Sequence, residues 1–571
     1  SVSPSDDFYR FVNGGWLDAN PVPPEYGAWG AAHEVHVRNE GILREIMEDA
    51  AADASAEPGS PEAWAGTYWR SGMDTDRIEE LGTTSIQPWL DRIRAVVTVE
   101  DVSALVADLH TTGIGAFFGS YVAPDFEDPT ANLLWVSQGG LGLPDRDYYL
   151  RDDDTSQQLL AAYEAHIAAM FALLGDDAEA AAANAATVLS VERAIAELSY
   201  TNVQMRDVDL ITNKHDTSNV DDLMPNFGLR RYLTQIGAGD EASVNIDNVG
   251  FYPGVDALIA ERPIGNLQTY LRWHLLRSTA SSLPEVFEVE AFDFYGRTLG
   301  GQQEQKDRWK RVLGAAGGDI GELVSQLYVR DNFPPESKER VEHLVDRLFD
   351  AMRTTLGDVA WMSDETREQA LAKLDGFGYK IGYPDVWRDY TGLELEEGAW
   401  LDNRLACRRF EIARKIGQLG QPVDPHEWSM APHVVNAYYH PLRNEVVFPA
   451  GMLQPPFFGA EADDAVNYGG IGSVIGHEIT HGFDDKGSMF DAEGQVRNWW
   501  TDEDRTEFDA RAEVMVEQFN GYEVEDGLSV NGELTLGENI ADLGGVKIAL
   551  AALLAELGDD TADVALSLIH I

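Results

Sequence analysis

Two histidines and a glutamate fall within five residues at His477-Glu478-Ile479-Thr480-His481. On an α-helix, residues four apart lie on one face, about 6 Å up the axis, so both imidazoles can converge on a single ion. Two neutral imidazole nitrogens and a carboxylate suit zinc, which in catalytic sites keeps a fourth position for water. Glu478, next to the first histidine, can reach that water, and the chemistry would be activation of water beside a metal. So short a pattern also arises by chance, and a pair of surface histidines beside an acid would look the same; a third ligand decides. Gly537-Glu538-Asn539-Ile540-Ala541-Asp542 offers one. Glu538 and Asp542 are again four apart and face the same way. One carboxylate can bind the metal while the other accepts the remaining ring N–H of a ligand imidazole.

These residues need elements to hold them. Ile471, Val474, Ile475 and Ile479 give the first segment an apolar face, while Gly469, Gly470, Gly472 and Gly476 thin its bulk so that it can pack closely or admit a substrate. A second helical stretch runs from Glu538 into Val546-Lys547-Ile548-Ala549-Leu550. Upstream, Asn436-Ala437-Tyr438-Tyr439 leads through His440-Pro441-Leu442-Arg443-Asn444 into Glu445-Val446-Val447-Phe448, which reads as strand, turn and strand. An edge strand there could pair with an extended peptide, and a plain core hairpin is the alternative. Elsewhere, apolar residues return every three or four positions over 31–51, 102–110, 156–174, 178–198, 335–356 and 363–374, with Ser363 placed to cap the last. Strand-like runs are few, at 117–122, 133–136 and 445–448, so the chain reads as mainly α with a small β part.

The whole chain has 571 residues, with 42 Lys and Arg against 98 Asp and Glu, a formal charge of −56. Hydrophobic residues at 44% and aromatics at 10% separate it from a disordered acidic tail and leave a folded protein with an acidic surface. No basic stripe is present and no lysine precedes Lys214, and with the acidic balance this argues against nucleic acid as a partner. Cys407 is the only cysteine, so an internal disulfide and a thiolate zinc finger are both excluded and a buried, inert thiol is expected. The opening residues have no basic and apolar leader pattern, and no run of about 18 apolar residues occurs anywhere.

Taken together, these blocks resemble the neprilysin and endothelin-converting-enzyme family of zinc metallopeptidases. The resemblance rests on Asn436-Ala437-Tyr438-Tyr439, on Val447-Phe448-Pro449-Ala450-Gly451 with Gln454-Pro455-Pro456-Phe457-Phe458, and on His477 to Asp485 and Gly537 to Asp542. It extends to Gly140-Leu141-Gly142-Leu143-Pro144-Asp145-Arg146-Asp147-Tyr148-Tyr149, to Ile381-Gly382-Tyr383-Pro384-Asp385, and to Asp7-Phe8-Tyr9 and Val12-Asn13-Gly14-Gly15-Trp16. It implies a two-lobed fold, with a thermolysin-like catalytic lobe and a helical lobe enclosing a central cavity. Along the chain it implies an N-terminal segment over 1–28 packed on the catalytic lobe, a mainly helical lobe over 29–374 and a zinc lobe over 375–571. By the same resemblance His477, His481 and Glu538 would bind one zinc ion per chain, and Glu478 would be the general base. Asp542 would orient a zinc histidine and act as an active-site acid, while Asn436 and the backbone of Ala437 would hold the substrate. The implied activity is endopeptidase cleavage of short peptides before a hydrophobic residue.

The family's pattern continues for several tens of residues past the Gly537–Asp542 block, with a histidine and an arginine that assist the site. The closing Ala565–Ile571 does not look like that continuation, and His570 reads as an ordinary terminal residue. The expectation is therefore a zinc lobe incomplete at its C-terminus; a zinc- and peptide-binding protein with weak or no turnover is the alternative. A single cysteine departs from the disulfide-rich animal members, so a monomeric bacterial or archaeal oligopeptidase of the cytoplasm is expected, with secretion as the other option.

Overall fold

The computed structural model describes residues 2–525 and 527–558, so Ala565–Ile571, with His570, lies outside the described residues. Helices dominate and three small sheets accompany them, as the periodicity implies. Helices α1 (Phe8–Ala19), α2 (Ala31–Ala52) and α3 (Pro61–Met73) open the chain. Next come α4 (Asp154–Leu173) and α5 (Ala178–Leu198), whose starts are fixed by Asp153 and Asp177 accepting the Ser156 and Ala180 amides, each at 2.9 Å. Helix α6 (Ile264–Thr279) packs with both of them around one apolar core that includes Tyr163, Ile195 and Trp273. A four-stranded sheet joins this core in the order β1 (Phe118–Pro124), β2 (Asn132–Gln138), β4 (Ser243–Ile246) and β3 (Lys214–Asp216). The first two strands match the sequence reading, whereas β3 and β4, of three and four residues, are too short for alternation to show.

A second core is built from both ends of the chain. Leu43 and Met47 of α2 and Tyr68 of α3 belong to the same apolar cluster as Leu344 and Leu348 of α7 (Pro335–Gly357) and as Ile475, Ile479, Ile548 and Leu553. This second core draws on residues from both sides of the stretch that builds the first, and Leu401 and Leu405 join the first. Periodicity shows that α2 and α3 bury a face but not which distant helix covers it. The Ser363 cap is present, its Oγ accepting the Thr366 amide at 3.3 Å. In the metal lobe, β5 (Gly378–Gly382) pairs in parallel with β7 (Glu445–Pro449), and β6 (Tyr438–His440) pairs antiparallel to β7, which leaves β5 and β6 as the two edges.

At the N-terminus, Pro24 O accepts the Gln303 and Glu304 amides at 2.7 and 2.9 Å, Glu25 pairs with Lys310, and Tyr26 is buried. Helix α1, in contrast, buries none of its residues, and Phe8 and Phe11 stay 67% and 53% exposed. The two lobes meet in a third, small apolar cluster where Phe126 and Val208 touch Leu442, Phe490, Met489 and Val496. Cys407 is buried, and burial pushes its thiol up, in keeping with an inert role. No described helix is long and apolar enough to cross a membrane.

Candidate active site

The His-Glu-x-x-His segment lies on α8 (Ser473–His481), entered through a wider helical turn over Tyr468–Gly472. Helix α9 (Leu536–Leu557) crosses it at unusually close range. A Cβ at Gly545 would lie 2.5 Å from Ser473 O and 2.8 Å from His477 N, and one at Gly476 would lie 2.9 Å from Gly545 O. These neighbours are backbone and cannot swing aside, so the glycines set the distance at which α9 brings Glu538 to the histidines. Gly545→Ala is expected to destabilise the protein by about 1–3 kcal/mol and to weaken zinc binding. Thermal unfolding and chelator competition measure the two effects, and unchanged zinc affinity would show that Glu538 is not positioned through this contact.

His477 donates from Nδ1 to Asp542 Oδ1 at 2.8 Å, and His481 donates from Nδ1 to Asp484 Oδ2 at 2.7 Å. With both Nδ1 protons so placed, each neutral ring offers only a lone pair at Nε2. Yet the two Nε2 atoms face each other at 2.9 Å, and Glu538 Oε2 lies 3.4 Å from the first and 3.6 Å from the second. Three lone-pair donors aimed at one point repel one another unless a cation lies between them. Tetrahedral bonds of about 2.0 Å would hold ligand atoms about 3.3 Å apart, close to the spacings found, so the set fits zinc. Among the described residues this is the grouping of three His, Cys, Asp or Glu ligand atoms within 4.8 Å of one another.

Glu478 is 6% exposed. Burial pushes its carboxyl pKa up, opposed by the neighbouring His481 and His477 rings. For His481, burial disfavours the charged ring, but the bond to Asp484 and that residue's charge outweigh it and the pKa rises. The side chains of Glu538 and Asp542 are 65% and 78% exposed, so this flank of the site is open. A cleft of about 380 Å³ lies over the group, lined by Asn436, Ala437, His477, Glu478, His481 and Glu538. Asp542 stands behind His477. All seven residues singled out from sequence thus come together.

Three further residues escaped sequence reasoning. Asp484, three positions past His481, holds that ring, and the Lys486 and Gly487 amides fix its other oxygen at 2.9 and 2.6 Å. Its spacing was a readable signal. Lys373 is buried and donates to Gly482 O, Gly487 O and Phe490 O, each at 2.7 Å, clamping the end of α8 to the loop that follows. Burial pulls its ammonium down to about 7, against the charges of Asp484 and Asp491. Arg206 reaches the cleft from the helical lobe. Neither Lys373 nor Arg206 carries a local signal, because each acts more than 100 residues away in the chain.

A helical fold that brings two histidines and a glutamate together, with a buried carboxylate beside them, is the arrangement of a metallopeptidase. Profiles described as peptidase family M13 match residues 4–384 and 436–564. Endothelin-converting enzyme 1 of Rattus norvegicus is 32% identical over 97% of this chain and 74% of its own length. The zinc metalloprotease Zmp1 of Mycobacterium tuberculosis, in complex with inhibitor, is 37% identical and superposes with a TM-score of 0.94 over 98% of this chain and 85% of its own. The same protein in its open state, covering 97% of this chain and 87% of its own, gives 0.77. The chain belongs to peptidase family M13, the neprilysin and endothelin-converting-enzyme family of zinc metallopeptidases, and is a metalloendopeptidase.

Proposed function

We propose that the protein is a monomeric zinc oligopeptidase, with one zinc held by His477, His481 and Glu538. The observation that carries this reading is the pair of Nε2 lone pairs facing each other at 2.9 Å while both Nδ1 atoms are engaged by carboxylates. Zinc, when bound there, supplies the Lewis acidity that acidifies a water and polarises a scissile carbonyl. Glu478 accepts the proton of the attacking water and returns it to the leaving amine. Asp542 and Asp484 keep each ring in the tautomer that leaves Nε2 free, and Asp542 is also read as an active-site acid. The edge strand β6 lies beside the cleft, and Asn436 with the Ala437 backbone holds an extended peptide against it. Cleavage before a hydrophobic residue follows the family resemblance, as does the restriction to short peptides.

The superposition on inhibitor-bound Zmp1, closer than on its open state, supports reading the lobe arrangement here as the closed one. A single buried thiol is compatible with work in the cytoplasm. Zinc content and hydrolysis of an internally quenched peptide test the reading together. One zinc per chain, cleavage on the amino side of a hydrophobic residue and loss of both on chelation are expected. Zinc bound without cleavage would instead mark a zinc- and peptide-binding protein.

A further inference from the structure

Arg206 lies in a short helical turn of the helical lobe, yet its Nη2 donates to both carboxylate oxygens of Asp485, at 3.1 and 2.8 Å, in the metal lobe. Both side chains are largely shielded from solvent, 29% and 22% exposed, so the pair is less screened than a surface bridge. Its neighbours matter more than its strength. Asp485 directly follows Asp484, which holds His481 at 2.7 Å. A Cβ at Gly537, the residue before Glu538, would lie 2.8 Å from Asp485 Oδ1, 3.0 Å from Arg206 Nη2 and 3.0 Å from Asp484 Oδ2. The ion pair is therefore wedged against two of the segments that deliver metal ligands. Beside it, Phe126 meets Phe490 edge-on at 5.7 Å, and Phe126 O accepts the Val496 amide at 3.3 Å.

Building on the closed-lobe reading, we infer that Arg206 is a positioning residue supplied across the lobe junction, whose pairing with Asp485 forms on closure and aligns His481 and Glu538. In the open arrangement Asp485 has no partner from the other lobe, and the Asp484–Asp485 turn and the Gly537 backbone lose the group packed against them. Closure then completes the site rather than only covering it.

The test compares the zinc-loaded wild type with Arg206→Met, Arg206→Lys, Asp485→Asn and the double variant Arg206→Met/Asp485→Asn. Small-angle scattering reads lobe opening, and an internally quenched peptide reads kcat and KM. Each of Arg206→Met and Asp485→Asn is expected to expand the scattering profile and to lower kcat about tenfold with KM changed by less than about threefold. The double variant should be no worse than either single one, and Arg206→Lys should recover most of the closed profile. Asp485→Asn, near in shape to the original, carries the test should Arg206→Met fail to fold. Multiplied effects in the double variant, or a wild-type profile and kcat in both single variants, would overturn the inference. Failure of the wild type itself to hydrolyse peptide would defeat the proposed function, while scattering would still report on the latch.

Discussion

Glu478→Gln is expected to bind zinc at the stoichiometry of the wild type and to lower kcat by about 10²–10⁴-fold, the range over which a positioned general base acts. The side chain is 6% exposed and sits between the two histidines, so glutamine fills the same space without a lost contact. What it removes is a lone pair able to take a proton from water and return it to an amine. Glu478 makes none of the close contacts that define the metal-binding set, which leaves the metal affinity largely untouched. Zinc analysis of the purified variant, paired with turnover of a quenched peptide, measures both halves. Hydrolysis at the wild-type rate would remove Glu478 from the mechanism.

The second large effect belongs to Glu538. Glu538→Ala is expected to weaken zinc binding by more than about 100-fold, beyond the 10–100-fold typical of losing a supporting partner of a ligand. Two neutral imidazoles then remain to hold a dication, with no compensating charge within the group. Because the side chain is 65% exposed, the fold should pay little, and the unfolding free energy of the metal-free protein should change by less than about 0.5 kcal/mol. Competition against a chromophoric chelator gives the affinity, and thermal unfolding gives the control. Tight zinc binding by the variant would take Glu538 out of the ligand set.

The site was unusually legible because its chemistry is written locally. His477, Glu478 and His481 declare themselves through helical spacing, and Glu538 with Asp542 repeats that spacing on a second helix. Helices with strong periodicity were readable for the same reason, α5 to the residue. The composition of the second core was not, since Leu43 and Ile475 share it across more than 400 residues, and no local pattern encodes so distant a companion. Asp484 could have been found by asking what holds the second histidine once Asp542 is given to the first. Arg206 and Lys373 could not: a guanidinium on a short turn and a lysine on a polar helix look like ordinary surface charges until the fold buries them. The aromatic α1 shows the converse, a sequence that looked docked and whose helix remains exposed.

The split construction of the metal lobe also bears on how the molecule is made. During synthesis α2 and α3 emerge early, but much of the core that they join, including residues of α7, α8 and α9, follows only after the helical lobe. The intervening loop is so long that closing it is slow, though its entropic cost grows only with the logarithm of its length. The helical lobe, whose core is drawn largely from one continuous stretch, can fold meanwhile and bring the two halves together. Glu538 comes from the last described helix, so the candidate site comes together only when α9 docks onto the core that it shares with α2 and α3.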